Sequence, residues 1–285
     1  MSRRSEEGRH RGRSLKIIQT NTVMHRFIPL LALVIAALAP AQEAALPPKG
    51  NFHLFLLVGQ SNMAGRGVVE DQDKTPHPRV LMLSKEGKWV PATDPMHFDK
   101  PSAGVGLGKT FGQIIADANP GVTIGLIPCA VGGSHIDAWK PGVLYPPTMS
   151  HPWDDMVKRM AIALHAGTIK GILWHQGEGD SQPDQARAYE PKLHDLVKRL
   201  RELAKAPEVP FIAGQMGKFD GVPWTPEKIF VDRAHQSLPQ HVPHTAFVSA
   251  EGLKHKGDNV HFDTPSFREM GKRYAEAYLK MTVRK

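Results

Sequence analysis

"FLLVGQSNMAG", residues 55–65, runs four apolar residues into Gly59 and then sets Gln60, Ser61 and Asn62 side by side before the pattern turns helical. An apolar run with no polar face belongs inside a parallel sheet covered by helices on both sides. The full run is "FHLFLLV" (52–58), and five more segments share its character: "RVLML" (79–83), "TIGLIPCAV" (123–131), "IKGILW" (169–174), "VPFIAGQ" (209–215) and "TAFVSA" (245–250). Helical patterns lie among them at 108–118, 153–167, 183–206 and 265–281. Strands alternating with helices predict an α/β fold, a three-layer α/β/α sandwich on a mainly parallel sheet. The stretch 66–106, full of Pro, Asp and Lys, reads as an inserted loop region around the second strand.

The chain has 285 residues and 41% hydrophobic content, enough for one large α/β domain. Its formal charge of +8 is unevenly spread: seven basic residues against Glu6 and Glu7 put +5 in residues 1–41 and leave +3 for the rest. The body therefore carries no basic stripe of the kind nucleic acid demands. Residues 1–41 end in "FIPLLALVIAALAPA", an apolar run shorter than a membrane span that closes on small residues. This reads as a signal peptide cut after Ala41, with Met24 as an alternative start. Export to the periplasm or beyond is expected, with no membrane attachment after cleavage. Residues 42–50 read as a linker and 51–285 as the domain. Cys129 is the only cysteine, so no intramolecular disulfide can form.

Ligands of such sheets collect outside the carboxyl ends of the strands, and four of those ends are unusual. Gly59-Gln60-Ser61-Asn62 places a serine on a strand-to-helix turn beside unpaired backbone N–H groups. By itself a serine after a strand is more often the cap of the next helix. "CAVGGSHIDAW" (129–139) offers Gly132 and Gly133, whose backbone can approach an oxyanion closely. "LWHQGEGD" (173–180) brings His175, Gln176, Glu178 and Asp180 to the end of an apolar strand, an expensive arrangement without partners or work to do. "GDNVHFDTPSFREMG" (257–271) spaces Asp258 and His261 so that the carboxylate can hold one ring nitrogen while the other faces a serine.

Together, "GQSNMAG", "GGS", "WHQGEGD" and "DNVHF" resemble the SGNH hydrolase superfamily, specifically its carbohydrate esterases of the sialate O-acetylesterase and family 6 acetylxylan esterase type. The similarity covers nearly all of residues 51–281 and implies a flavodoxin-like sandwich. It further implies Ser61 as nucleophile and His261 as general base, with Asp258 and Glu178 as rival acids. The oxyanion hole is expected from the Ser61 N–H, a glycine N–H of Gly132 or Gly133, and the Gln176 side chain, where the wider superfamily has Asn. Gln60 and Asn62 are expected to touch substrate. The implied activity is acetyl removal from sugars or polysaccharides through an acyl-enzyme, without metal or cofactor. Partners reduce to the acetylated carbohydrate, and a monomer is expected. The competing functional class is a catalytically inactive carbohydrate-binding protein on a hydrolase fold, although Ser61 and His261 are both retained.

Three other features are set aside. "GVGLGKTFG" (104–112) lacks the first glycine of a P-loop, since Ala103 stands there, and reads as a helix entry near the site. The late histidines His235, His241, His244, His255 and His261 lack metal-ligand spacing. Trp139, Trp153 and Trp224 are candidates for stacking on sugar rings, with Trp174 placed in the core.

Overall fold

The structure, a computed structural model, describes residues 46–282. The signal segment assigned to 1–41 and residues 42–45 of the linker lie outside the described residues. Seven strands form one sheet: β1 (Phe52–Gly59), β2 (Val80–Leu83), β3 (Trp89–Pro91), β4 (Thr123–Pro128), β5 (Thr168–His175), β6 (Phe211–Gly214) and β7 (Thr245–Val248). Their order is β3-β2-β4-β1-β5-β6-β7. All pairings are parallel except that of β2 with the edge strand β3. The helices are α1 (Ser61–Ala64), α2 (Asp71–Lys74), α3 (Gly108–Ala118), α4 (Pro152–Ala166), α5 (Pro183–Arg187), α6 (Tyr189–Ala204), α7 (Pro226–His241) and α8 (Thr264–Thr282).

The period-2 geometry of β1 creates the three layers. Phe52, Leu54, Leu56 and Val58 face one core, which α4, α6 and α7 close with Trp153, Met156, Leu193, Leu196, Val231 and Leu238. Phe55 and Leu57 face the other, closed by Phe111 and Ile115 of α3 and by Phe267, Met270 and Tyr274 of α8. Phe55 packs edge to face with both Phe111 and Tyr278 at ring-centroid distances of 5.0 Å. The expected sandwich is therefore the observed one. Cys129 is buried and free, and burial pushes its thiol up to about 11, which keeps it unreactive.

Three elements differ from the sequence expectation. The single helix read at 183–206 is two, α5 and α6, meeting at Ala188, whose ψ of 2° does not continue the helix. Helix α7 was not expected at all. It starts with Thr225 accepting the N–H of Lys228 and with Pro226 in the first turn, both ordinary start signals, but Pro239 sits inside it and breaks the pattern. Within 66–106, the loop region also holds α2 and β3.

That same region buries a carboxyl. Asp94 is 5% exposed, and burial, reinforced by the neighbouring Asp73 carboxylate, pushes it up to about 7. A carboxyl raised on folding adds stability only while protonated, so its contribution is present below the ordinary value of 3.8 and is lost as pH rises to about 7. Asp94→Asn should therefore gain on the wild type between pH 4 and pH 8, up to about 4 kcal/mol. Thermal unfolding of both proteins across that range checks it, and parallel curves would contradict it.

Candidate active site

Chain order and sheet order diverge around β1. The chain leaves β1 for β2, returns through β4 on one flank, and then crosses to β5 on the other. The end of β1 is therefore a topological switch point, where a crevice opens for ligands. Gly59 ends the strand at φ +132°, with the β5 backbone so close that a Cβ would lie 2.2 Å from the His175 carbonyl oxygen. Gln60 is extended and donates its N–H to His175 O at 2.9 Å. Its own carbonyl accepts from Met63 and Ala64, which closes α1 and lifts Ser61 to the first helical position. The Ser61 N–H is thus one of the helix-start donors with no intrahelical acceptor.

His261 reaches this serine from the loop between β7 and α8. Its Nε2 lies 3.0 Å from Ser61 Oγ and its Nδ1 lies 2.7 Å from Asp258 Oδ2. Asp258 Oδ1 accepts the backbone N–H groups of Val260 (3.0 Å) and His261 (2.8 Å). Burial pushes the Asp258 carboxyl up, but the bonds from the His261 backbone and ring and from Val260 outweigh it and hold the group well below the usual carboxylate range. Ser61, His261 and Asp258 form one continuous hydrogen-bonded chain.

Glu178 is elsewhere in this network. Its Oε1 accepts from Asn62 Nδ2 at 2.7 Å, its Oε2 is buried without a partner, and it makes no hydrogen bond to His261. Burial raises its pKa, against the opposing effects of its own backbone and of Asn62. The structure therefore pairs Asp258, and not Glu178, with the histidine.

Four further expectations need correction. Gln176 is fully buried, and its Nε2 donates to Ser134 O (3.1 Å) and Asp180 Oδ2 (2.6 Å) while its Oε1 accepts from Tyr189 (2.7 Å). Both amide hydrogens are committed, so Gln176 has none for an oxyanion. It instead ties the "HQGEGD" turn to the glycine loop, helped by Asp180, which also accepts from Ile136 N at 2.7 Å. The Gly132 N–H is likewise taken, by Asp99 Oδ2 at 2.8 Å. Gly133 is exposed, has φ +82° and donates to no protein acceptor among the described residues, which makes it the free donor of the two. Gln60, expected at the substrate, is 3% exposed and accepts the N–H groups of Gly177 and Gly179. Asn62, fully buried, donates to Val260 O at 3.0 Å and accepts from Phe262 N at 3.4 Å, gripping the His261 loop on both sides of the histidine.

Among the tryptophans, Trp139 and Trp174 are fully buried and meet edge to face at 5.6 Å, while Trp153 is covered by the Arg199 guanidinium. Only Trp224 keeps a partly open face. His175 and His235, both fully buried, are lowered to about 3 by burial and serve the core. The "GVGLGKTFG" stretch packs beside the site, with Gly104 N donating to Gly65 O at 3.1 Å and Lys109 donating to Gln72 O at 2.6 Å. Asp99 carries no signal in the sequence, because nothing in a Pro- and Asp-rich loop shows that one carboxylate will reach the glycine loop.

Residues 51–280 match the family model described as carbohydrate esterase, sialic acid-specific acetylesterase. A probable carbohydrate esterase of Arabidopsis thaliana is 32% identical over 262 residues, covering 84% of this chain and 94% of its own. Its crystal structure superposes with a TM-score of 0.70 over 82% of this chain and 99% of that one. A carbohydrate acetylesterase from Xanthomonas citri shares the fold at 20% identity and a TM-score of 0.63, over 81% of this chain and 56% of that one. A family match over residues 51–280 and a relative 32% identical over most of both chains lead to one conclusion: the chain belongs to the carbohydrate esterase family of the sialic acid-specific acetylesterases.

Proposed function

We propose that the protein removes O-acetyl groups from acetylated sugars or polysaccharides through a covalent acetyl-enzyme on Ser61. The observation that carries this reading is the continuous chain from Ser61 Oγ to His261 (3.0 Å) and on to Asp258 (2.7 Å); the Ser61 and Gly133 N–H groups meet no protein acceptor among the described residues. His261 Nε2 takes the serine proton as Oγ attacks the acetyl carbonyl. The carbonyl oxygen becomes an oxyanion that accepts from the Ser61 and Gly133 N–H groups. His261 then protonates the departing sugar oxygen, and a water activated by the same ring releases acetate. Asp258 stays ionised throughout, holding the ring in the tautomer that presents a bare Nε2 to the serine. None of these steps calls on a metal or cofactor.

The acyl group fits the setting. Ser61 is only 6% exposed, which suits a small acyl group better than a long one. The sugar itself is read by side chains farther out, and the family description supports sialic acid among the candidates. Export through the segment ending at Ala41 and action as a monomer belong to the same proposal. Acetate release from p-nitrophenyl acetate and from a panel of acetylated glycans, with blocking by a serine-reactive organophosphonate, tests it. Turnover on at least one glycan is expected; a folded protein inert to all of them from mildly acid to alkaline pH would favour the inactive binding protein instead.

A further inference from the structure

Arg66 and Asp99 form an ion pair with side chains only 4% and 1% exposed, Nη2 lying 2.6 Å from Oδ2. Burying two charges gives little net stability, since desolvation consumes most of the attraction. What distinguishes this pair is where its ends are attached. Arg66 follows α1, the helix that carries Ser61, by two residues, and its Nη1 also donates to Gly65 O at 2.7 Å. Asp99 uses the same Oδ2 that meets Arg66 to accept the Gly132 N–H at 2.8 Å. The pair therefore bridges the serine turn and the glycine loop.

The fit at Gly132 is close. A Cβ there would lie 2.4 Å from Arg66 Nη2 and 2.6 Å from Asp99 Oδ2, so the charged groups press directly on the loop backbone. On its other side the loop is held by Val131 N donating to Gly59 O at 2.9 Å and by Gln176 donating to Ser134 O. Between these ties stands Gly133 at φ +82°, a residue whose peptide rotates easily unless its neighbours are fixed.

We propose that the Arg66–Asp99 pair is a positioning device that fixes the Gly133 N–H against the Ser61 N–H, so that the oxyanion hole is formed before substrate arrives. The inference rests on the esterase reading above. Holding Gly132 through a charge-assisted hydrogen bond prevents its N–H from competing for the oxyanion and prevents the following peptide from turning its carbonyl inward. Neither Arg66 nor Asp99 needs to touch substrate. Their loss should weaken transition-state binding and leave ground-state binding alone.

The test is the double variant Arg66→Met/Asp99→Leu, which removes both charges and leaves no unpaired ion in the interior. A folded double variant should lose about 10²-fold in kcat, the range for one oxyanion donor, with KM changed less than about threefold. Affinity for a small boronic acid, which forms a tetrahedral adduct on an active serine, should fall by the same factor as kcat/KM. A folded variant with wild-type kcat, or with its loss confined to KM, overturns the proposal. Should the variant not fold, wild-type amide exchange and NMR shifts decide. The Gly132 amide should exchange slowly and stay unmoved by the boronic acid, whereas the Gly133 amide should shift. Rapid exchange at Gly132, or a shift there in place of Gly133, overturns it. A wild type that neither releases acetate nor binds the boronic acid removes the esterase reading itself; an active wild type beside an equally active variant removes only the positioning role.

Discussion

Ser61→Ala is expected to leave the fold intact and to lower acetate release by about 10⁵-fold or more, the scale for removing the nucleophile of a serine triad. The fold should survive because Ser61 Oγ makes one hydrogen bond, to His261, and α1 is closed by N–H groups of Met63, Ala64 and Gly65 donating to the Gln60 and Ser61 carbonyls, which alanine keeps. His261→Ala should be equally damaging, since a hydroxyl without its base is a poor nucleophile. The stronger statement concerns the pair. The double variant should be no slower than either single variant by more than a small factor, because the two groups act as one unit and their effects do not add. Initial rates of acetate release from the best glycan, with thermal unfolding as the fold control, make the comparison. If the losses multiply, serine and histidine are acting separately and the chain from Oγ to Asp258 is not the catalytic unit.

The two acids are expected to separate sharply. Asp258→Asn should cost about 10⁴ in kcat, since an amide at that place either donates to Nδ1 or accepts only weakly and so favours the wrong histidine tautomer. Glu178→Gln should cost less than about tenfold, because its contact is with Asn62 and a glutamine oxygen can still accept that bond. The pKa directions agree with this division: Asp258 is held low and stays anionic through the mildly acid range, while burial raises Glu178 toward its neutral form. The acid limb of the kcat/KM profile therefore does not report Asp258. Full kinetics of both variants at one pH in the plateau suffice. Equal losses, or a larger loss at Glu178, would reverse the assignment.

The sequence made the architecture legible wherever burial on two faces leaves a compositional trace. Strand β1 reads clearly because Phe52 to Val58 must fill two cores at once, and α3 falls on the expected residues because Phe111 and Ile115 mark one face of it. Edge elements leave less trace: β3 has three residues and one neighbour, and α7 hides behind Pro239. The site shows a similar division. Ser61, His261 and Asp258 could be picked out because their polar clusters stand in the order of the motifs the chain resembles, and that resemblance implies their roles; only the Asp258–His261 spacing of three is local, and the choice of Asp258 over Glu178 needed the tertiary contact. Gln176, Gln60 and Asn62 could not be assigned, since a long amide side chain at a strand end can face ligand or protein, and here Tyr189, Asp180, Glu178 and two glycine N–H groups take their polar atoms. The choice between Gly132 and Gly133 was hidden for a related reason. It depends on Asp99, whose approach to the loop is a product of the tertiary fold.

If Ser61 alone forms the covalent intermediate, a covalent serine label must find it. The purified protein is treated with an acetyl-ester-like organophosphonate until turnover stops, digested, and its peptides are sequenced by mass spectrometry. One phosphonyl group per chain on Ser61, appearing in step with the loss of acetate release, is the expected result. A label on any other residue at full inactivation, or complete inactivation with Ser61 unmodified, would contradict the account.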